Sequence, residues 1–446
     1  MLIQNKVGHE NWGKYAALYS LCHISITLAD LGLNQYLTKE IARNKNQIIE
    51  TTGKILTLKL LTSATFPLCM VFIGYFLGYE IIWLKMLFII AIIHSFIQLF
   101  GFYRAQIQGN QFFGLDALVS NLDKSILIFV SFALVYSTSG IYSYITGRIL
   151  SIAIATIVIL VLCYKNNLVT KPSKKLIEIN SIIKLSFPFA FISLVYSVNE
   201  NIDQVMIERL SQKLTNFNHS SIYSAAYRLV NAVMMYLWII LPMFFAKFSH
   251  FESNKSKNDK LIKVGTSIVY LPIALISIFA LFHSRLLFIF FKNSSIVELN
   301  AMSEIFSILC LTLLLQGLFA ILSTFLTSNG EEKYITKLVL VSIAFNITTN
   351  FIYIPKYGAY AASWATFGSA IIVVIGYILK ILKTKTIELP IKLWVKLIVI
   401  SLASYIGFYI GLTHSEMLSI ILGISLFIFS TIAIKPIVIK DLKEIG

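Results

Sequence analysis

The chain is dominated by apolar runs long enough to cross a bilayer, and these leave it few ways to fold. About thirteen run in series, at 15–37, 55–78, 83–103, 117–137, 141–163, 182–207, 220–246, 261–291, 299–327, 334–354, 357–382, 393–412 and 416–434. A helix of ~20 residues is enough to span the hydrocarbon layer. Inside that layer every backbone amide and carbonyl must bond within the chain, so only helices or a closed barrel can cross. The runs are continuously apolar and lack the strand-length alternation of outer-membrane barrels, so helices are expected. The expected fold class is therefore an all-α polytopic membrane protein of about 13 transmembrane helices. Only 13% of the 446 residues are charged, against roughly 25% in soluble domains. This excludes a soluble enzyme, a secreted disulfide scaffold and a disordered tail protein. Pro172, Pro355, Pro390 and Pro436 fall at run ends, and Pro67, Pro188, Pro242 and Pro272 are expected kinks.

The net charge of +16 reports topology, because the basic residues flank the apolar runs and do not gather on one face that could bind nucleic acid. About 25 of the 37 Lys and Arg fall in the connections around 38–54, 104–116, 164–184, 247–263, 328–337 and 380–396 and in the C-terminal tail. The positive-inside rule makes that side cytoplasmic. The C-terminus is then expected inside, and an odd number of spans puts Met1 outside, with no signal peptide before it. Cys22, Cys69, Cys163 and Cys310 stand singly in apolar text, so they read as small apolar fillers, and neither a disulfide framework nor a metal site is expected. There is no Walker A sequence, His-Glu-x-x-His or Gly-x-Ser-x-Gly, so neither a cofactor nor a catalytic centre is expected.

The chain also resembles itself. Tyr15-Ala16-Ala17-Leu18-Tyr19-Ser20-Leu21 is echoed by Tyr223-Ser224-Ala225-Ala226-Tyr227-Arg228-Leu229, and Gly140-Ile141-Tyr142-Ser143 by Gly358-Ala359-Tyr360-Ala361. The two echoes keep their order and nearly their offset, and each opens a span. The organisation expected from them is an N-terminal lobe over 1–165, a cytoplasmic linker over 166–181, a C-terminal lobe over 182–384, and two further helices with a cytoplasmic tail over 385–446. On this register the counterpart of 182–207 falls before Met1, so the first lobe is one helix short. Either the start is truncated and the full protein has fourteen helices, or the lobe is incomplete. Lobes related by an axis along the membrane normal place substrate between them.

These residues also carry a likeness to a family. Gly13-Lys14-Tyr15, with the stretch from Ala29-Asp30-Leu31-Gly32 to Ile41-Ala42-Arg43, resembles the second-helix signature of the Wzx-type polysaccharide flippases of the multidrug/oligosaccharidyl-lipid/polysaccharide exporter superfamily. Asn201-Ile202-Asp203-Gln204, the block Ile222–Leu229 and Tyr357-Gly358-Ala359-Tyr360-Ala361-Ala362 are similar to later helix starts in that family. The resemblance implies a flippase that carries a polyprenyl-diphosphate-linked oligosaccharide, such as an O-antigen or capsule repeat unit, from the cytoplasmic to the periplasmic leaflet. It implies alternating access without ATP in the bacterial inner membrane, with a polysaccharide polymerase and chain-length proteins as partners.

Polar side chains inside apolar runs mark where function is expected, because a charge at mid-membrane costs about 2.5–3.5 kcal/mol on insertion scales. Ser20, His23, Thr27, Asp30 and Asn34 recur at steps of three and four, which keeps them on one helical face. Asp30 and His23 are coupling candidates for H⁺ or Na⁺. Alternatively, Asp30 caps or pairs at the cytoplasmic interface, and His23 is merely hydrogen-bonded. Asn199 and Asp203, with Glu200 beside them, and Ser224, Arg228 and Asn231 form two further polar faces. An Asp203–Arg228 pair there would be either structural or a gate. Arg148, Arg228, Lys59 and Lys124 are the candidate cations for a diphosphate, which Arg grips through two hydrogen bonds and Lys as a point charge. On the alternative reading Lys59 and Lys124 snorkel to the cytoplasmic face and Arg148 to the periplasmic one. His94/Gln98, Thr312/Gln316 and Ser342/Asn346/Asn350 are polar faces that suit sugar hydroxyls or helix–helix contacts equally.

Three rival functions remain: a cation-coupled drug exporter, a peptidoglycan lipid-precursor flippase of the same fold, or a membrane polysaccharide polymerase or ligase. The embedded cations weigh against the first and the short outer connections against the last.

Overall fold

The computed structural model describes residues 2–43, 48–137, 140–173, 179–214, 217–251, 254–291, 293–384 and 387–436. Part of the expected 166–181 linker and the tail beyond 436 lie outside the described residues. All regular structure among the described residues is helical, as the apolar runs require. The chain divides into two compact units, Met1–Glu208 and Arg209–Gly446.

The first unit contains α1 (Leu2–Val7), α2 (His9–Asp30), α3 (Leu33–Arg43), α4 (Ile48–Phe76), α5 (Ile81–Gly109), α6 (Phe113–Val119), α7 (Leu122–Ser137), α8 (Ile141–Lys165) and nearly all of α9 (Ile179–Leu210). Helix α5 is its axis and touches α2, α3, α4, α6 and α8. Its inward side buries Met86, Leu87, Ile90, Ala91 and Ile93 together with His94 and Gln98. The second unit contains α10 (His219–His250), α11 (Lys255–Phe288), α12 (Ile296–Ser328), α13 (Glu332–Tyr357), α14 (Ala359–Thr384), α15 (Ile391–Leu412) and α16 (Glu416–Ile434). Helix α12 is central to it, packing on α10, α11, α13 and α14. Helix α9 counts with the first unit by its contacts, although the sequence repeat groups it with the second lobe.

Among the described residues eleven helices, α4, α5 and α8 to α16, are long and apolar enough to cross a membrane. Their outer surfaces carry large exposed apolar side chains such as Phe72, Ile239, Phe351 and Phe429, a surface that water would not tolerate and lipid does. The chain is a multi-pass membrane protein.

Two of the expected runs are broken. The run 15–37 is not one helix: α2 ends at Asp30, and Leu31 (φ 52°) and Gly32 (φ 70°) adopt left-handed backbone before α3 begins. Gly32 is required there, since a Cβ would collide with the backbone of Ala190 and Ser186 in α9. Helix α2 is long enough to span, but it carries too many polar residues to meet the composition of a span. The run 117–137 is interrupted at Ser120-Asn121, and α7 begins at Leu122.

Pro67, Pro188, Pro242 and Pro272 lie inside helices as expected, and Pro355, expected at a run end, lies inside α13 as well. The non-helical step in α11 falls at His283 (φ −124°, ψ 17°) and not at Pro272. His283 Nε2 meets Ser419 Oγ of α16 at 2.8 Å, so the step is held from outside by a hydrogen bond. Cys22, Cys163 and Cys310 are buried free thiols, whereas Cys69 is exposed.

Candidate functional site

The polar stripe of α2 meets α4, α5 and α8 inside the first unit and builds one continuous cluster there. At its lower end stands Lys59 of α4. Its side chain is fully buried, ion-paired with Asp30, and donates to Gln98 Oε1 at 2.5 Å. The Gln98 amide nitrogen donates in turn to the Ile26 carbonyl at 3.4 Å, which fixes its oxygen toward the ammonium. A buried ammonium without such acceptors would be strongly disfavoured, and here the carboxylate and the amide oxygen supply them. Lys59 is thus paired inside the unit with Asp30, where the alternative reading has it snorkelling.

One turn further along α5, His94 is fully buried. Its Nδ1 lies 3.1 Å from the Ile90 carbonyl and so carries the donor proton, and its Nε2 has no hydrogen-bond partner among the described residues. The His94 ring lies 4.7 Å from the Tyr19 ring and 6.1 Å from that of His23, and Tyr19 and His23 stack along α2. Arg148 of α8 completes the cluster: its guanidinium lies 4.7 Å from the centre of the Tyr19 ring and donates to the Tyr19 hydroxyl at 3.0 Å. Tyr15 and Tyr144 pack edge to face at 5.4 Å in the same aromatic wall, which Trp12 extends.

Of the residues proposed from sequence, the structure thus brings together Asp30, Lys59, His23 and Arg148, with His94 and Gln98 from the polar face of α5. Lys124 is exposed on α7 and stands outside the cluster. On α9 the expected common face divides, for Asn199 and Glu200 are exposed while Asp203 is buried. In the second unit Arg228 is half-buried and donates to the Ser224 carbonyl at 3.2 Å and to its hydroxyl at 3.3 Å; Asn231 is exposed. Asn346 and Asn350 are buried and bonded to each other at 2.9 Å.

Sequence reasoning missed Tyr19, whose ring and hydroxyl both engage Arg148. Its spacing four residues before His23 was the available signal. It also missed Glu208, which is buried at the end of α9, ion-paired with Lys14 at 2.5 Å, and accepts from the Tyr79 hydroxyl at 2.7 Å. The three partners are far apart in sequence and share no local pattern.

The fold is that of known transporters. The solved lipid II flippase MurJ in an inward closed conformation is 17% identical with a TM-score of 0.68, covering 95% of this chain and 96% of that one. An inward-facing multidrug resistance MATE family transporter of the MOP superfamily is 13% identical with a TM-score of 0.67, covering 84% and 94%. A MOP superfamily transporter from Pyrococcus furiosus, described as having a binding pocket of reversed polarity, is 12% identical with a TM-score of 0.61, covering 86% and 90%. No curated protein matches the chain. The family model described as "Polysaccharide biosynthesis protein" matches residues 1–245, more than half of the sequence and all of the polar cluster around Lys59 and Arg148. The chain therefore belongs to the polysaccharide biosynthesis protein family.

Proposed function

We propose that the protein is a flippase of the Wzx type that moves a polyprenyl-diphosphate-linked oligosaccharide from the cytoplasmic to the periplasmic leaflet of a bacterial inner membrane. The C-terminus lies in the cytoplasm, and a polymerase and chain-length proteins take over the product. The observation that carries this reading is the contrast between the two cations of the first unit. Lys59 is neutralised by Asp30, whereas Arg148 has only phenol partners and no ion pair among the described residues. A guanidinium held by an aromatic ring and a hydroxyl keeps its charge and several N–H donors for an incoming anion. A diphosphate supplies about two negative charges and acceptor oxygens for that fork. Arg228 of the second unit, which donates twice to Ser224 of its own helix, is a further candidate cation. Transport proceeds by alternating access and without ATP. Inward flow of H⁺ or Na⁺ drives it, each charge contributing about 2.3 kcal/mol per 100 mV, with Asp30, His23, Asp203 and Glu200 as the groups that sense the ion.

A peptidoglycan lipid-precursor flippase is the second reading, favoured by the fold likeness over nearly the whole of both chains. Its cargo would present the same diphosphate to Arg148. One experiment separates the two. In a strain lacking the gene, the wild-type chain restores surface polysaccharide and cell-wall synthesis is untouched throughout, while Arg148→Ala inserts at normal levels and restores nothing. Normal polysaccharide display from Arg148→Ala would remove Arg148 from the substrate path, and loss of wall synthesis in the deleted strain would favour the second reading.

A further inference from the structure

Lys59 occupies a place built for a cation. Its ammonium is met by the Asp30 carboxylate and the Gln98 amide oxygen, and Gln98 is oriented by its own bond to the Ile26 carbonyl. Oxygen acceptors of these two kinds, carboxylate and amide carbonyl, are those that hard metal cations take from proteins. The place is also the end of a helix: α2 stops at Asp30, where Leu31 and Gly32 turn into left-handed backbone. The C-terminal pole of a helix carries partial negative charge and favours a cation within its last turn. The ammonium is fully buried, so no water shell competes for these oxygens.

We propose that this is a monovalent-cation site that Lys59 permanently fills with a cation of its own. The tethered ammonium closes the site to Na⁺, and removal of the ammonium opens it. Of the two coupling ions open to Asp30 under the transport reading, Na⁺ is then excluded at this residue. The proposal deepens the coupling part of that reading, but the site itself does not depend on what is carried.

The test uses purified full-length protein and reads binding and stability, so that failure here leaves the flippase reading standing and failure of transport leaves this one standing. Thermal unfolding is followed in NaCl and in choline chloride at equal ionic strength. The wild type and Lys59→Arg, which keeps a tethered cation, unfold at the same temperature in both salts. Lys59→Ala shows a saturable Na⁺-dependent rise of a few degrees, as a ligand that binds only the folded state produces, and Lys59→Ala combined with Asp30→Asn loses that rise. A saturable Na⁺ effect in the wild type that Asp30→Asn removes would overturn the proposal. So would a folded Lys59→Ala indifferent to Na⁺. If Lys59→Ala fails to accumulate even in sodium-rich medium while Lys59→Arg accumulates, sodium cannot take the place of the ammonium and the proposal also fails. Binding of radioactive ²²Na⁺ gives a second readout: none dependent on Asp30 in the wild type, and one site per chain in Lys59→Ala.

Discussion

Lys14 and Glu208, 194 residues apart, close on each other at 2.5 Å and tie the start of α2 to the end of α9. The two ends of this pair differ in their surroundings. The Glu208 side chain is 3% exposed and the Lys14 side chain 20%. A lysine freed from its partner reaches water, whereas a carboxylate left without its lysine stays buried beside the Tyr79 hydroxyl. Removing the cation is therefore the worse injury, because a buried unpaired charge costs more than a lost pair. Lys14→Met is expected to destabilise the protein by about 2–4 kcal/mol and Glu208→Gln by about 1–2 kcal/mol. Thermal unfolding of the two purified variants checks the order, and a more stable Lys14→Met than Glu208→Gln would contradict it.

Tyr19 is expected to act on transport through Arg148. Tyr19→Phe keeps the ring under the guanidinium and deletes the hydroxyl that accepts from it at 3.0 Å. One hydrogen bond to a charged group is worth about 1.5–3 kcal/mol, and tenfold in rate corresponds to about 1.4 kcal/mol, so display of polysaccharide should fall at least about tenfold at equal protein level. Tyr19→Ala removes the platform too and should approach the loss seen with Arg148→Ala. Arg148→Lys keeps the charge without the two-pronged grip and should retain partial activity. Quantitative surface-polysaccharide staining, normalised to membrane protein, distinguishes the three, and full activity in Tyr19→Ala would show that the arginine does not need its aromatic support.

The connection after α5 carries a pH-dependent contact. Asp116 accepts from Arg104 Nε at 2.6 Å and from the Gln108 amide at 3.0 Å. Partial burial pushes its pKa up, but the hydrogen bonds from Arg104 and Gln108 and the charge of Arg104 outweigh that and hold it below the ordinary 3.8. A carboxyl whose folded pKa is depressed contributes stability above its unfolded pKa and loses it as pH falls through the folded one. The stabilisation is thus complete at neutral pH and disappears only in acid below 3.8. Thermal midpoints of wild type and Asp116→Asn should keep a constant, small difference from pH 5 to 8 and converge in stronger acid, the pair being open to solvent and weak. A difference that grew on acidification would reverse the assigned sign.

The spacing of α2 made half of the candidate site legible. His23 and Asp30 repeat at helical steps, so a common face follows from geometry, and their neighbours in α4, α5 and α8 do share it. What spacing cannot carry is partnership between helices. A lone lysine in an apolar run reads equally as a snorkelling residue or a cavity cation, and only the approach of Asp30 and Gln98 shows Lys59 to be paired inside the unit. The break after Asp30 was hidden for a related reason. Gly32 hints at left-handed backbone, and the close passage of α9 requires a glycine there, but no sequence signal marks Leu31, which adopts the same conformation. Lys124 differs from Lys59: it lies in the first turn of α7, just past the interruption at Ser120-Asn121, and is exposed.

The last two helices, which the sequence repeat leaves out, are held to each other and to α11 by small residues and hydroxyls. A Cβ on Gly411 would collide with the backbone of Leu418 and Ser419, so α15 and α16 meet backbone to backbone at this point. That approach lets Ser419 Oγ donate to the Phe408 carbonyl at 2.6 Å and reach His283 Nε2 at 2.8 Å, and Ser404 Oγ donate to the Gly423 carbonyl at 3.0 Å. Helix pairs in lipid gain little from apolar burial and depend on such close packing. Gly411→Leu is therefore expected to separate the pair and remove the outside hold on the His283 step, costing about 2–4 kcal/mol through overpacking and lost bonds. Ser419→Ala deletes only the hydroxyl and should cost about 1–2 kcal/mol. Limited proteolysis at the α15–α16 turn, together with thermal unfolding, reads both effects. Equal stability of Gly411→Leu and wild type would mean that the two helices do not need this contact to stay docked on α11.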